Sequence, residues 1–315
     1  MLDVRRLRLL RELARRGTIA AVAEALAYSP IAVSQQLAVL EREAGLPLLE
    51  RTGRRVRLTP AAQNLVGHAE AVLERLEQAD ADLAEARSGL AGVLRVGAFP
   101  TATRALVPAA LIQLARRHPA LEPMVHETDP AAVAHALRGG ELDVALVHEY
   151  DFVPAPPEPG LTTRPLYGEA MYLAAPAEAT RPAAAAEAVP GPEQCAVLRA
   201  HRDAPWITAT PGTLCHIMTL RACQAAGFTP RVRHRTDGFA TVLALVAAGQ
   251  GVAVVPQLGV TRPPDPGVSL TRLHMERRTN TAFRSGAGAH PAVAAFTAAL
   301  QAVLPPDLAA PRAQA

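Results

Sequence analysis

The apolar positions at the start of the chain fall into three short helical periods. Leu7, Leu10 and Ala14 predict an amphipathic helix ending near Gly17. Thr18 can N-cap a second helix whose apolar face is Val22, Ala25 and Leu26. After a tight turn at Ala27-Tyr28, Ser29 is placed as an N-cap and Pro30 suits the first helical position. This third helix runs to about Glu43. It buries Val33, Leu37, Leu40 and Ala44, and turns Ile31, Ser34, Gln35 and Ala38 outward. Residues 48–59 then read as a hairpin turning at Thr52-Gly53. From Thr59-Pro60 a single long helix begins. Leu65, Ala69, Val72, Leu76, Ala79, Leu83, Ala86 and Leu90 recur in alternating steps of four and three, which is a coiled-coil seam. A helix packed on its own chain fits the same pattern less well, because the seam is narrow and unbroken.

Beyond Gly92 strands and helices alternate. Val93–Ala98 reads as a buried strand, followed by a helix over Thr103–Arg117, strand Pro123–Glu127, helix Ala131–Leu137 and strand Asp143–Val147. A proline-rich crossover at 154–159 leads to a second unit: Glu169–Ala175, Trp206–Thr208, helix Leu214–Ala226, strand Arg231–Thr236, helix Phe239–Ala248 and strand Val252–Val255. Strands near Ser269–Leu273 and Asn280–Arg284 and a helix from Pro291 to Leu304 return to the first unit. Such alternation implies parallel sheets and an α/β body. The stretch from Gly238 to Thr261 carries no charge and is long enough to span a membrane. Gly249, Gln250, Gly251, Pro256 and Gln257 interrupt it, so a buried helix and a buried strand are expected and no membrane partner.

Composition sharpens this picture. Half of the 315 residues are hydrophobic but only 3% are aromatic, so the core must be aliphatic. All 32 basic residues are Arg, and a planar guanidinium fork suits phosphate. The overall charge of +3 conceals an uneven distribution: residues 1–60 carry +5, residues 61–90 carry −4, and the remainder +2. A basic module, an acidic helix and a near-neutral body point to a nucleic-acid reader joined to something else. The start lacks the apolar run of a secretory signal, and Cys195, Cys215 and Cys223 lack CxxC spacing. The expectation is a cytoplasmic protein without disulfides or zinc. A solute-binding or enzymatic α/β protein is a further alternative, but no G-x-S-x-G, HExxH or Walker A motif is present, so neither catalysis nor a cofactor is expected.

Two short helices joined by a tight turn describe a helix-turn-helix, and an ordinary three-helix bundle with a polar outer face fits that pattern equally. The chemistry leans towards DNA. Gln35 or Gln36 can bridge an adenine edge, Ser34 can bond a base or phosphate, and Ile31 can touch a thymine methyl. The hairpin decides between them. It carries Arg51, Arg54, Arg55 and Arg57, as a wing lying along phosphates or in the minor groove would.

These residues carry a resemblance. The run after Ala27, with Ala32-Val33-Ser34-Gln35-Gln36-Leu37 and then Leu48 to Thr59, is similar to the N-terminal signature of LysR-type transcriptional regulators. It departs from the family where Pro30 and Ile31 replace the usual Gln and Pro or Ser, and where a Gly near Ala62 is missing. The lost Gln removes a base-reading group, so the operator sequence does not carry over. Further on, Leu94-Arg95-Val96-Gly97, Trp206-Ile207 and the run from Val246 to Pro256 resemble the family's effector body.

The resemblance implies a winged helix-turn-helix at 1–60, a dimerising linker helix at 61–90, and an effector domain at 91–315 of two periplasmic-binding-protein-like subdomains. The first would hold 91–162 and 269–304, and the second 163–268. DNA contacts are expected from Ser29, Pro30, Ile31, Ser34, Gln35, Gln36, Arg51, Arg54, Arg55 and Thr59. Dimerisation is expected through Leu65, Val72, Leu76 and Leu83, giving a homodimer or homotetramer that presents two reading helices about 34 Å apart. RNA polymerase is a further candidate partner.

In an α/β body the ligand sits at the carboxyl ends of the strands. That rule selects Thr101, Thr103, Thr128 and His148 on one lobe and Thr208, Thr236 and Pro256 on the other. Thr101 and Thr103 open a helix, so a carboxylate-bearing effector is expected there. An alternative is a redox-responsive regulator, since Cys215 and Cys223 lie where peroxide-sensing relatives carry a thiol pair. Their spacing is one residue short, and eight helical positions span roughly 12 Å, too far for a disulfide without local unfolding.

Overall fold

The computed structural model describes residues 1–52, 55–85, 90–177, 192–260 and 263–308. The N-terminal module holds α1 (Val4–Arg16), α2 (Ile19–Ala25) and α3 (Pro30–Ala44), then the hairpin β1 (Leu49–Thr52) and β2 (Arg55–Leu58). Each helix begins at the cap its sequence offers. Asp3 accepts from the backbone of Arg5 and Arg6, Thr18 from Ala21, and Ser29 from Ala32. Ala27 takes a left-handed φ of 53° in the turn between α2 and α3, which brings the two helices across each other. Leu10, Val22, Val33, Leu37 and Leu40 form the core.

The long helix α4 (Pro60–Glu85) starts inside this module, because Ala62 and Ala69 are buried in the same core. The regular seam is therefore divided. Leu65 packs half-buried on the N-terminal core, whereas Val72, Leu76 and Leu83 stand exposed on the single chain. The seam residue Ala86 lies outside the described residues.

The body is built on one six-stranded sheet. Its strands are β3 (Ala91–Ala98), β4 (Ala120–Glu127), β5 (Val144–Tyr150), β6 (Leu161–Pro176), β9 (Ala253–Pro256) and β10 (Val268–Arg284), in the order β4-β3-β5-β10-β6-β9. β3 pairs in parallel with β4 and β5, and β10 runs antiparallel to both β5 and β6. Helices α5 (Pro100–Ala105), α6 (Val107–Arg117), α7 (Pro130–Gly139) and α11 (Pro291–Ala302) complete the first lobe. The second lobe adds α8 (Pro192–Arg199), the parallel pair β7 (Pro205–Thr208) and β8 (Arg231–Arg235), α9 (Leu214–Ala225) and α10 (Phe239–Ala247). Trp206 is fully buried in this lobe. Its indole N–H donates to the carbonyl of His201, and its ring lies 5.9 Å from that of Phe228. Gly251, at φ 152°, passes so close to Pro205 that a Cβ there would lie 2.4 Å from the Pro205 carbonyl oxygen.

The structure departs from the periodicity reading first in the sheet, which is mixed rather than parallel because β10 runs back antiparallel between β5 and β6. It departs in three further places. The expected helix over 103–117 is two helices, because Pro108 in the first turn of α6 cannot continue α5. The separate short strands at 269–273 and 280–284 are a single 17-residue strand, and the partner expected at 169–175 extends over 16 residues. These two long strands cross from lobe to lobe. Helix α8 was not anticipated.

Candidate functional site

The face expected to meet DNA separates into readers and scaffold. Ile31 and Gln35 are exposed on α3, and Ser34 is half-buried beside them. Ser29 spends its hydroxyl on capping α3, with Pro30 opening the helix. Gln36 accepts from Arg6 Nε at 2.9 Å, which ties α3 to α1. Thr59 is buried, donating to the carbonyl of Pro47 and accepting from the backbone of Ala62, so it caps α4 beneath the wing. Glu41 also has a structural role that periodicity missed. One carboxylate oxygen accepts from the backbone N–H of both Leu48 and Leu49 at 2.9 Å and hangs the wing on α3. Arg57 is exposed on β2. Arg54 and the side chains of Arg51 and Arg55 lie outside the described residues.

This geometry gives a direct expectation. Arg57→Ala should weaken binding to every DNA sequence alike and make the plot of log affinity against log salt shallower by about one unit. Titration across a salt series checks it. An unchanged slope would take the wing off the backbone.

A crevice of about 240 Å³ separates the two lobes. Of the seven residues selected from strand ends, Thr101, Thr128 and His148 line it. The other four are placed elsewhere. The Thr103 hydroxyl donates to the carbonyls of Ala98 and Phe99, and the buried Thr208 donates to the carbonyl of Ala209. Thr236 and Pro256 are not in the lining, and Pro256 pairs with Met171 in the sheet. The far wall comes instead from Ala209, Thr213, Cys215 and Asp237.

The floor is Arg277, in the middle of β10. It is fully buried, its Nε donates to Glu169 Oε1 at 2.8 Å, and its guanidinium stacks 4.9 Å over the ring of Phe99. Burial alone would make Arg277 easier to deprotonate. The adjacent Glu169 carboxylate, together with Tyr150, Tyr167 and Cys215, outweighs that effect and raises its pKa. Glu169 also accepts from the backbone of Leu258 at 2.8 Å, so both carboxylate oxygens are used. His148 stands beside the pair, edge-on to Phe99 and Tyr150 at 4.6 and 5.2 Å. Burial, helped by Arg277, pushes its pKa well below the ordinary value and keeps the ring neutral. The Tyr150 hydroxyl lies 3.0 Å from Cys215 Sγ. Burial raises the pKa of the Cys215 thiol, and that of Cys223 is pushed up to about 12. Among the described residues no group of three His, Cys, Asp or Glu is placed to hold a metal, and no helix is long and apolar enough to cross a membrane.

A winged helix-turn-helix, a long linker helix and a two-lobed body around a polar crevice define a ligand-responsive DNA-binding protein. The chain matches "Bacterial regulatory helix-turn-helix protein, lysR family" over residues 4–63 and "LysR substrate binding domain" over 87–305, and it belongs to the LysR family of transcriptional regulators. It is 32% identical over 284 residues to a probable hydrogen peroxide-inducible genes activator of Mycobacterium avium, covering 87% of this chain and 86% of that one. The fold is similar to that of a mutant OxyR of Corynebacterium glutamicum, at 26% identity and a TM-score of 0.54, covering 96% and 91% of the two chains. It also resembles the fold of a full-length OxyR variant from Pseudomonas aeruginosa, at 24% identity and a TM-score of 0.60, covering 96% and 95%. Regulators of this family bind DNA and small-molecule effectors, form oligomers and are not enzymes.

Proposed function

We propose that the chain is a cytoplasmic LysR-type regulator whose homodimer, or a tetramer built from it, changes its hold on DNA when a small metabolite enters the inter-lobe crevice. RNA polymerase is the partner it meets at the promoter. The observation that carries this reading is the crevice lining, in which Thr101, Thr128 and His148 face Cys215 and Asp237 across Arg277. A ligand shifts a two-lobed body only by touching both lobes, and this lining offers groups from each. A carboxylate on the effector would meet Thr101 and the edge of Arg277 on the floor.

A thiol switch is the second reading. It is favoured by the peroxide-inducible relative and by the position of Cys215 in the crevice. The chemistry opposes it. Both thiols are held protonated by burial, and thiolate is the reactive form. Both cysteines also lie on α9, eight positions apart on one rigid helix.

One experiment separates the two readings. The mapped operator is footprinted with the wild type, with Thr101→Val and with Cys215→Ser, Cys223→Ser, adding in turn a metabolite found by thermal-shift screening and hydrogen peroxide. Thr101→Val preserves shape and removes one hydroxyl, which costs about 1.5–3 kcal/mol against a charged group, or more than tenfold in effector affinity. The expected result is a metabolite response weakened by Thr101→Val and no response to peroxide. A peroxide response that the double serine variant loses would establish the thiol switch instead.

A further inference from the structure

The crevice is not the only cavity that meets His148. A second, mainly apolar cavity of about 380 Å³ lies against α7, walled by Ala134, Val147 and Leu161 with Glu149, Thr163 and Asn280 at its edges, and roofed by the crossover Val153–Glu158. The roof is rich in proline, which resists collapse onto the space below because its backbone angles are fixed. The two cavities share Pro130, His148 and Leu214 as a common wall. At 240 Å³ the crevice alone is smaller than the roughly 300–1,000 Å³ usual for ligand sites, and the two cavities together fall within that range.

His148 is 5% exposed, and among the described residues neither ring nitrogen has a hydrogen-bond partner. A neutral imidazole presents one N–H donor and one lone-pair acceptor, so a ligand that satisfies it must bring both an acceptor and a donor. The crevice wall adds a charge requirement. Glu127, Asp129 and Asp237 all stand exposed on it, whereas the positive charge of Arg277 is already matched by Glu169. A simple anion would meet this wall unfavourably, and a simple cation would leave the Arg277 edge unused.

We infer that the crevice and the apolar cavity form one bipartite site for a small zwitterion with an apolar side chain, of the α-amino-acid class. The carboxylate lies on the floor at Thr101 and Arg277, and the ammonium faces the wall carboxylates. These two groups supply the acceptor and the donor that His148 lacks, and the side chain passes the ring into the second cavity. This rests on the crevice reading above and adds the ligand class and the second compartment.

Calorimetry on the full-length protein tests it with four probes. L-leucine carries both charges and the side chain. 4-Methylpentanoate lacks the ammonium, isopentylamine lacks the carboxylate, and glycine lacks the side chain. L-leucine is expected to bind at least tenfold more tightly than each of the others. Ala134→Phe, with its fold checked by circular dichroism, fills the apolar cavity and should bring L-leucine down to the level of glycine. Ala131→Leu narrows the same cavity and serves if the first variant misfolds. Asp129→Asn should weaken L-leucine and, by removing one repelling charge from the wall, strengthen 4-methylpentanoate. Equal binding of 4-methylpentanoate and L-leucine overturns the zwitterion, and unchanged L-leucine binding in the cavity variants overturns the second compartment. If no probe binds the wild type, the class is wrong. A different metabolite that is still weakened by Thr101→Val would then leave the crevice reading standing.

Discussion

Arg277→Met is expected to cost the effector body about 3–5 kcal/mol, because it strands the Glu169 carboxylate in the interior without a counter-charge. For a body of this size that corresponds to a fall of roughly 6–20 °C in Tm. The size of the effect comes from burial rather than from the ion pair itself. Both side chains are almost wholly inaccessible, so water cannot screen the orphaned charge. Most of the loss should return in Arg277→Met, Glu169→Gln. The glutamine carbonyl can still accept from Leu258, and no net charge remains inside. Thermal unfolding of the three proteins checks this. A single variant that melts with the wild type would mean that Glu169 finds another partner.

Leu76→Asp is expected to convert the assembly to monomers and to lower operator affinity by two to four orders of magnitude. Val72, Leu76 and Leu83 are 39%, 48% and 63% exposed on the single chain, an apolar line on α4 that a second copy would cover. Each leucine buried there contributes about 1.5–3 kcal/mol, and two-fold symmetry counts it twice. A charge at the centre removes that gain and must itself be desolvated. The second reading helix then no longer binds at the high local concentration set by the first, which is the source of the predicted factor. Sedimentation velocity and an operator titration on the same samples decide it. Unchanged mass in the variant removes α4 from the dimer.

The N-terminal module was legible because its determinants are local. Caps, a proline at the first turn and a 3.6-residue period lie within a few residues of what they control, and α1 to α3 formed where those signals placed them. The crevice was less legible. Strand ends identify which end of a sheet can bind, and so Thr101, Thr128 and His148 were within reach. They do not identify which neighbouring segment closes over that end, and so Thr208, Thr236 and Pro256 were selected although the far wall is Cys215 and Asp237.

Arg277 was missed for a different reason. It falls in the stretch where two short strands were expected to be separated, and its partner Glu169 lies 108 positions upstream. Periodicity sees neither fact. One signal was available: Arg277, Thr279 and Thr281 alternate along the strand and are all buried, so the strand turns a polar face inward. Glu276, Arg278 and Asn280 at the alternate positions are polar as well, and such an unbroken polar run reads as solvent-facing unless a buried counter-charge is considered.

The position of Trp206 decides what light can report. It is the sole tryptophan of the chain, enclosed in the second lobe with its N–H bonded internally. Intrinsic emission excited at the red edge therefore comes from that lobe alone, without any label. The DNA-binding module, the linker and the first lobe are silent at that wavelength. Opening of the second lobe should appear as a red shift, while loss of the N-terminal helices registers only in circular dichroism. A denaturant titration followed by both signals would thus resolve the order in which the two ends of the chain lose structure.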